Sequence, residues 1–439
     1  MDGNRPIARR ISVLLPSLSG GGAQRRVVEL INGFIDEGRD VDLLLPDPRG
    51  ELRDSVNPRV RIVTAGGPSA SRHDASIAIR EVLRERPPDA LLSGSAYVQS
   101  LAIAACGGSR PFPLVLRADS HPYRAIPWSF PRQRLLEPIR RRKRLAQYAS
   151  ADLVIAVAAD VAAAIAAANP TVPVVTIRNP VVSDSFLAYA GQPVELPWPD
   201  EPGVPIIVGV GRLAMAKDFP TLLRAFADLR RSRPARLAIL GDGSEDERES
   251  LLRLARRLGI QDSFALPGPT DRVAAWLSRA DVFVSSSIWE GCQAALIEAL
   301  AVGCPAVATS CVGSTRDLLS DQNLGILVPP REPRLMARAI AAQLDRAGRQ
   351  RRLVGAVADS YGVEKRAAEY LDAIDLALEN FGPRQGRSDW HRPLLHASPG
   401  TSTSVTCRRP DYRWQRVQRG GRPAGVPHRP DQHRSDGRR

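Results

Sequence analysis

Lysine is almost missing from this chain: of 61 basic residues only Lys143, Lys217 and Lys365 are lysines, and the rest are arginines. Cysteine is sparse too. The five, at positions 106, 292, 304, 311 and 407, form no CxxC pair and do not alternate with histidine. That pattern argues against a zinc site or a disulfide framework and for reduced cytosolic thiols. Long hydrophobic runs are also lacking. The longest, LVIAVAADVAAAIAAA (Leu153 to Ala168), is mostly alanine and broken by Asp160. It falls short of the roughly 20 residues that span a bilayer and reads as a strand followed by a helix. The amino end offers only Ile11 to Leu15 as an apolar stretch, too short for a secretory h-region, so no cleaved export signal is expected. Histidine is confined to His73 and His121 outside the last stretch of the chain.

With 43% hydrophobic and 25% charged residues the chain belongs to the soluble globular class, and its 439 residues exceed one ordinary core, which favours two domains. The net charge of +14 is unevenly placed. Residues 383–439 hold 13 Arg against 4 Asp, a net of +9, leaving +5 for everything before them. This stretch is dense in Pro and Gly and carries no sustained periodicity, so it is expected to be a disordered basic tail. Nucleic-acid binding through it would rest on charge alone, since Tyr412 and Trp414 do not make up the interleaved aromatic platform that such binding uses.

Apolar strand patterns alternate with amphipathic helical ones. ISVLLP, a glycine turn SLSGGGAQ, the helix RRVVELINGFIDEG closed by Gly38, and VDLLLP form a strand, turn, helix, strand series that argues for a parallel sheet. Further strands are expected at Ala90 to Gly94, Pro113 to Ala118, Leu153 to Val157 and Val174 to Asn179. The Pro- and Gly-rich stretch 191–205 reads as a linker. The alternation then restarts at Ile206 and runs through GILVPP to a last helical region, about Arg331 to Leu378. The expected architecture is α/β: two Rossmann-like doubly wound parallel-sheet domains facing a central cleft. Their bounds are residues 1–190 and 206–362, with a carboxyl-terminal helix at 363–382 that returns toward the first domain. Ligands of such folds lie beyond the carboxyl ends of the strands.

Two stretches carry chemistry. In GVGRLAMAKDFPTLLRAF, Arg212 and Lys217 follow the first strand of the second domain, where two fixed cations suit a diphosphate. With lysine so rare, Lys217 hints that a compact ammonium is wanted there; two solvated loop charges are the bland alternative. In WEGCQAALIEALAVGCPAVAT, Glu290 and Glu298 stand eight apart in an otherwise small and apolar segment. Read as one helix from the Glu290-Gly291 turn to Ala301, the segment places the carboxylates about 12 Å apart on nearly one side. Its amino end offers N–H groups and partial positive charge to a phosphate, while carboxylates suit hydroxyls. The alternative is that Glu290 caps the helix and Glu298 pairs with an arginine.

Taken with LGDGSEDERESLLRLARRLGI, ADVFVSSSIWEG and GGGAQRRVVELINGF, these motifs resemble a retaining glycosyltransferase of family 4 with the two-domain GT-B fold, over about residues 8 to 380. The resemblance implies that Arg212 and Lys217 clamp the diphosphate of a nucleotide-sugar donor, expected to be a UDP-sugar, that Glu290 and Glu298 bind the donor sugar and the ribose, and that Gly21, Gly22 and Gly243 let backbone approach the nucleotide. Gly291 and Cys292 complete the donor loop. His121 is the catalytic candidate on the first domain, and Asp119 its competitor on the acceptor side. The implied function is transfer of a sugar, with retention of configuration, to a saccharide or lipid-linked saccharide in cell-surface polysaccharide synthesis. No metal or other cofactor is expected, the nucleotide sugar being a co-substrate. The expected location is cytoplasmic, with a peripheral place at the inner face of the plasma membrane. The run Arg140, Arg141, Arg142, Lys143 and Arg144 is the candidate for an anionic membrane surface, or else a solvated helix face. The chain departs from the family pattern at Cys292, Gln293 and Ala294, at Ser314 and Thr315, and at Gln24. Those departures motivate a rival reading, a catalytically silent scaffold that binds nucleotide or glycan. Deleting residues 383–439 is expected to leave sugar transfer unchanged, and a fall in transfer rate on deletion would give the tail a role.

Overall fold

The computed structural model describes residues 6–19, 22–67, 69–96, 98–107, 110–119, 122, 131–290, 292–311, 315–319, 324–346 and 354–381. The expected tail, residues 383–439, lies outside them. Strands β1 (Arg10–Leu14), β2 (Asp40–Leu45), β3 (Arg61–Thr64), β4 (Ala90–Ser93), β5 (Leu114–Ala118), β6 (Leu153–Ala156) and β7 (Val174–Thr176) form one sheet in the order β3-β2-β1-β4-β5-β6-β7. Strands β8 (Ile206–Val210), β9 (Arg236–Leu240), β10 (Phe264–Gly268), β11 (Val282–Ser285), β12 (Ala306–Thr309) and β13 (Gly325–Val328) form a second, ordered β10-β9-β8-β11-β12-β13. Every strand pair in both sheets is parallel. These are the two Rossmann-like sheets that the alternation predicts. Strand β3 was not foreseen, because RIVT is short, half polar and at an edge, with neither an apolar run nor a clean alternation to mark it.

The helices follow from the same crossovers. The first half carries α1 (Gly22–Asp36), α2 (Arg72–Glu85), α3 (Gln99–Cys106), α4 (Pro131–Tyr148) and α5 (Ala159–Ala168), while Phe186 and Leu187 of α6 (Asp184–Ala188) pack into the core of the second half. The second carries α7 (Phe219–Arg230), α8 (Glu245–Leu258), α9 (Val273–Arg279), α10 (Ala294–Ala301), α11 (Thr315–Leu318), α12 (Pro333–Arg346) and α13 (Val354–Tyr361), and α14 (Val363–Phe381) ends the described chain. Alternate residues of one strand enter opposite cores. Ile11 and Val13 meet α1 and α14, whereas Leu14 joins α2 and α3. In the second sheet Ile207 faces α7 and α12, and Ile206 and Val208 face α9, α10 and α13. Burial on both faces is why these strands read as continuous apolar runs. Local signals set the helix ends. Ser244 and Glu247 form a reciprocal capping box at the start of α8, and Gly259 closes it in the left-handed conformation at φ 68°.

The chain passes between the halves twice, and the two crossings lie side by side. Val181 and Val182 donate backbone N–H groups to the Tyr361 carbonyl at 2.9 and 3.1 Å, and Val363 donates to Val182 at 3.2 Å. Beyond that crossing α14 packs into the core of the first half. Ala367, Tyr370, Leu371, Ile374 and Ala377 join Ile31 and Phe34 of α1 there. Gly33 permits the close approach, since a Cβ on it would lie 2.6 Å from the Ala367 Cβ. A polar clamp fixes the far end: Asp375 accepts from the Ala8 N–H at 2.8 Å and from Arg39 at 2.9 Å. Removing that carboxylate leaves a buried N–H without its acceptor and a largely buried guanidinium with only the Ala8 carbonyl as its partner among the described residues. Asp375→Ala is therefore expected to cost about 2 to 3 kcal/mol in urea denaturation. A loss below about 0.5 kcal/mol would mean that apolar packing alone docks α14.

Candidate active site

In each sheet the strand order reverses once, between β1 and β4 and between β8 and β11. Loops leaving the two central strands diverge there and open a crevice at their carboxyl ends. In the second half those loops are residues 211–218 after β8 and 286–293 after β11, the two stretches singled out above. A shallow cavity of about 750 Å³ lies at the opposite, amino-terminal edge of this sheet, lined by Asp200, Glu201, Arg233 and Arg279 among others. Its charges are largely spent on one another, in the Asp200–Arg279 pair, and on Arg236, which holds Glu201.

The loop after β8 is shaped around Lys217. Gly211 sits at φ 150°, and a Cβ on it would fall 2.6 Å from Lys217 Cε, so only glycine leaves the lysine stem its path. Met215–Lys217 make one 3-10 turn, and Asp218, left-handed at φ 46°, starts α7. The Lys217 ammonium then donates to Glu290 Oε1 at 2.5 Å, and the Ser287 hydroxyl donates to the same oxygen at 2.7 Å. Ser286 ties the loops together by donating to the Lys217 carbonyl at 2.6 Å, as does the Ile288 N–H to the Ala216 carbonyl at 2.8 Å. Arg212 is exposed on the same loop. Gly243 belongs to the neighbouring loop after β9, where the Asp242 carbonyl accepts from the Leu213 N–H at 2.7 Å. A Cβ on Gly243 would lie 2.5 Å from the Leu213 Cβ. Its glycine is thus explained by loop-on-loop packing.

The two glutamates are not on one helix. Helix α10 begins at Ala294, and its cap, Gln293, has φ −82° and ψ 74°. Glu290 therefore precedes the helix, and the spacing argument that put both carboxylates on one helical side does not apply. The physical reason is the Gln293 side chain, which turns inward instead of extending the helix: its amide donates to Thr315 Oγ1 at 2.6 Å and to Cys311 Sγ at 3.2 Å. Two of the departures from the family pattern, at 293 and 315, are thus hydrogen-bonded to each other. Glu298 is on α10 and buried, and it does pair with an arginine: Arg26 Nη2, from α1 in the first half, donates to its Oε1 at 2.5 Å. The Cys292 thiol is pushed up in pKa by burial, against the opposing pull of the Asn179 side chain and Arg26. It stays protonated near neutral pH, a small neutral lining group and no nucleophile.

The facing wall comes from the first half. Arg117 on β5 is fully buried and donates to the Gly94 carbonyl at 2.9 Å, to Asn179 Oδ1 at 2.6 Å and to the Tyr370 hydroxyl at 3.2 Å. Asp119, just past that strand, lies 3.9 Å from the same guanidinium. Gly22 is the first residue of α1 and exposed. Gly21, His121, Gly291 and Ser314 lie outside the described residues. Of the basic run on α4, Arg140 to Lys143 are exposed, whereas Arg144 turns to Glu137 and to the Pro122 carbonyl. The structure thus brings Lys217 to Glu290 and sets Arg212 and Gly243 on adjoining loops. Sequence reasoning missed Arg26, Ser286 and Ser287. The serine run at a strand end was the available signal for the latter two, while nothing in the local pattern of α1 marks Arg26.

Residues 20–185 match the model of Glycosyltransferase Family 4, and residues 204–346 match that of Glycosyl transferases group 1. A Rhizobium meliloti lipopolysaccharide core biosynthesis glycosyltransferase, LpsE, is 24% identical over 73% of this chain and 84% of its own length. An N-acetylgalactosaminyltransferase of Campylobacter jejuni that acts on a diphospho-undecaprenol saccharide is 33% identical, but over 28% of this chain, which spans about a third (32%) of that protein. Among solved structures, Anabaena HepE in complex with UDP and glucose superposes with a TM-score of 0.68 at 16% identity, covering 84% of this chain and 99% of its own. That likeness speaks to the fold, which is GT-B. With one family model on each half, the chain belongs to the family 4, group 1 glycosyltransferases.

Proposed function

We propose that this protein is a metal-independent, retaining glycosyltransferase that moves a sugar from a UDP-sugar to a saccharide or lipid-linked saccharide in polysaccharide or lipopolysaccharide synthesis. The observation that carries the reading is the meeting of Lys217 and Glu290 at the β8/β11 switch point, 2.5 Å apart. A cation and a carboxylate presented together there match the two ends of a nucleotide sugar's reactive half. Lys217, with Arg212, would neutralise the diphosphate as it leaves, and Glu290, held by Ser287, would accept hydrogen bonds from hydroxyls of the sugar. In this structure each satisfies the other. Glu298 would take the ribose hydroxyls, and the amino end of α10 would add partial positive charge toward the phosphates. The acceptor hydroxyl would attack from the face that the diphosphate leaves, its proton passing to a donor phosphate oxygen. UDP is favoured because solved relatives of the same fold hold UDP or UDP-glucose, and a lipid-linked acceptor because the Campylobacter relative uses one.

Helix α4 supports a place at a membrane surface. Leu135, Leu136 and Ile139 are 78%, 43% and 69% exposed and adjoin the exposed Arg140 to Lys143. Apolar side chains next to basic ones suit the interface of an anionic bilayer, at up to about 1 kcal/mol per basic residue. Among the described residues no helix is long and apolar enough to cross a membrane. Charge reversal of residues 140–143 is expected to abolish flotation with phosphatidylglycerol vesicles, and equal flotation would remove the surface assignment.

The donor assignment is tested by titrating UDP-, GDP- and ADP-sugars against the natural chain, Lys217→Ala and Glu298→Ala. Saturable UDP-sugar binding is expected, with each substitution weakening it about tenfold or more, the scale of a lost charge-assisted hydrogen bond. NMR of the product should show the anomeric configuration of the donor. Binding without donor hydrolysis or transfer would instead support the silent scaffold.

A further inference from the structure

Arg26 belongs to α1, yet its guanidinium joins three separate parts of the chain. Nη1 donates to Glu29 Oε1 and Oε2 at 3.0 and 2.8 Å and to the Val181 carbonyl at 2.9 Å, while Nη2 donates to Glu298 Oε1 at 2.5 Å. Glu29 is on its own helix, Val181 is in the outgoing crossing between the halves, and Glu298 is on the helix that faces the crevice from the other half. The side chains of Arg26 and Glu298 are only 6% and 12% exposed.

A buried pair of this kind is a poor source of net stability, because desolvation consumes most of the Coulomb gain. Here one cation is also shared between two carboxylates. Burial works against the charge on Arg26, but Glu29 and Glu298 outweigh it and hold its pKa above the ordinary value. Burial raises the pKa of Glu29 in spite of the arginine. The Nε of Arg26 is buried with no hydrogen-bond partner among the described residues. The contact is therefore strong in charge yet incompletely satisfied, and it spans the two halves at the base of the cleft.

We propose that Arg26 is an interdomain latch: it fastens Glu298 and the Val181 crossing to α1, and a nucleoside diphosphate whose ribose hydroxyls take Glu298 displaces the guanidinium from that carboxylate and so releases α10 from α1. This rests on the reading of Glu298 as the ribose-binding carboxylate. The guanidinium covers the oxygen that such hydroxyls need, so the latched state binds donor less well and its population reduces the observed affinity. Two substitutions then act in opposite directions. Arg26→Gln removes the competitor and favours binding. Glu29→Gln removes the rival carboxylate, commits Arg26 to Glu298 and disfavours binding.

The test uses the full chain, UDP as the probe, calorimetric titration and small-angle X-ray scattering. Arg26→Gln is expected to bind UDP at least about fivefold more tightly than the natural chain and to scatter as a larger particle without ligand. Glu29→Gln is expected to bind severalfold more weakly. Weaker binding by Arg26→Gln would overturn the latch and make Arg26 a support for Glu298, and unchanged affinity in both variants would overturn it as well. Should Arg26→Gln fail to fold, Glu29→Gln decides, together with scattering by the natural chain: a profile that UDP does not alter overturns the proposal. If the natural chain binds no UDP, the donor reading fails on its own. The latch is then judged on ligand-free scattering, where a variant profile identical to the natural one overturns it.

Discussion

Everything placed at the cleft depends on one constraint, that both sheets are wholly parallel. A parallel strand can be reached only by a crossover, so all strands of a sheet end on the same side, and the side chains that follow them gather there. Where the order reverses, neighbouring strands send their crossovers to opposite faces, and no helix fills the gap between their loops. Lys217 and Glu290 are 73 residues apart in the chain and meet because β8 and β11 are neighbours at that reversal. The serines after β11 then convert proximity into geometry by holding the lysine's carbonyl and the glutamate's carboxylate.

Charge is balanced at the cleft's two glutamates. Every carboxylate that the proposed reading gives to a hydroxyl is held by a cation, Glu290 by Lys217 and Glu298 by Arg26. Isolated charges at such buried sites would be costly, and pairing lets the protein carry them without ligand. Binding would then exchange one set of partners for another, with less desolvation left to occur at that moment.

The parallel sheets and the glycosyltransferase resemblance were legible because they follow from short-range patterns: apolar runs, turn residues, and the spacing of charged residues after strands. What was not legible depends on partners distant in sequence. Arg26 looks like any helix-surface arginine until α10 is set beside it, 272 residues on. The start of α10 was misplaced because Gln293 has a helix-compatible side chain, and its bonds to Cys311 and to Thr315, at the start of α11, withdraw it from the helix. Strand β3 was invisible because an edge strand is half solvated and need not be apolar. The basic run on α4 was read as five equal charges, but Arg144 faces inward to Glu137, a difference that periodicity alone does not resolve.

Helix α14 closes the core of the first half although the whole second half separates the two in sequence. During synthesis the apolar side of α1 around Ile31 and Phe34 must therefore wait, uncovered, until α14 emerges. The second sheet, whose strands are contiguous in the chain, has all its partners earlier. The half that is made first is thus completed last, and in the interval its exposed flank is the surface most open to aggregation or to a chaperone.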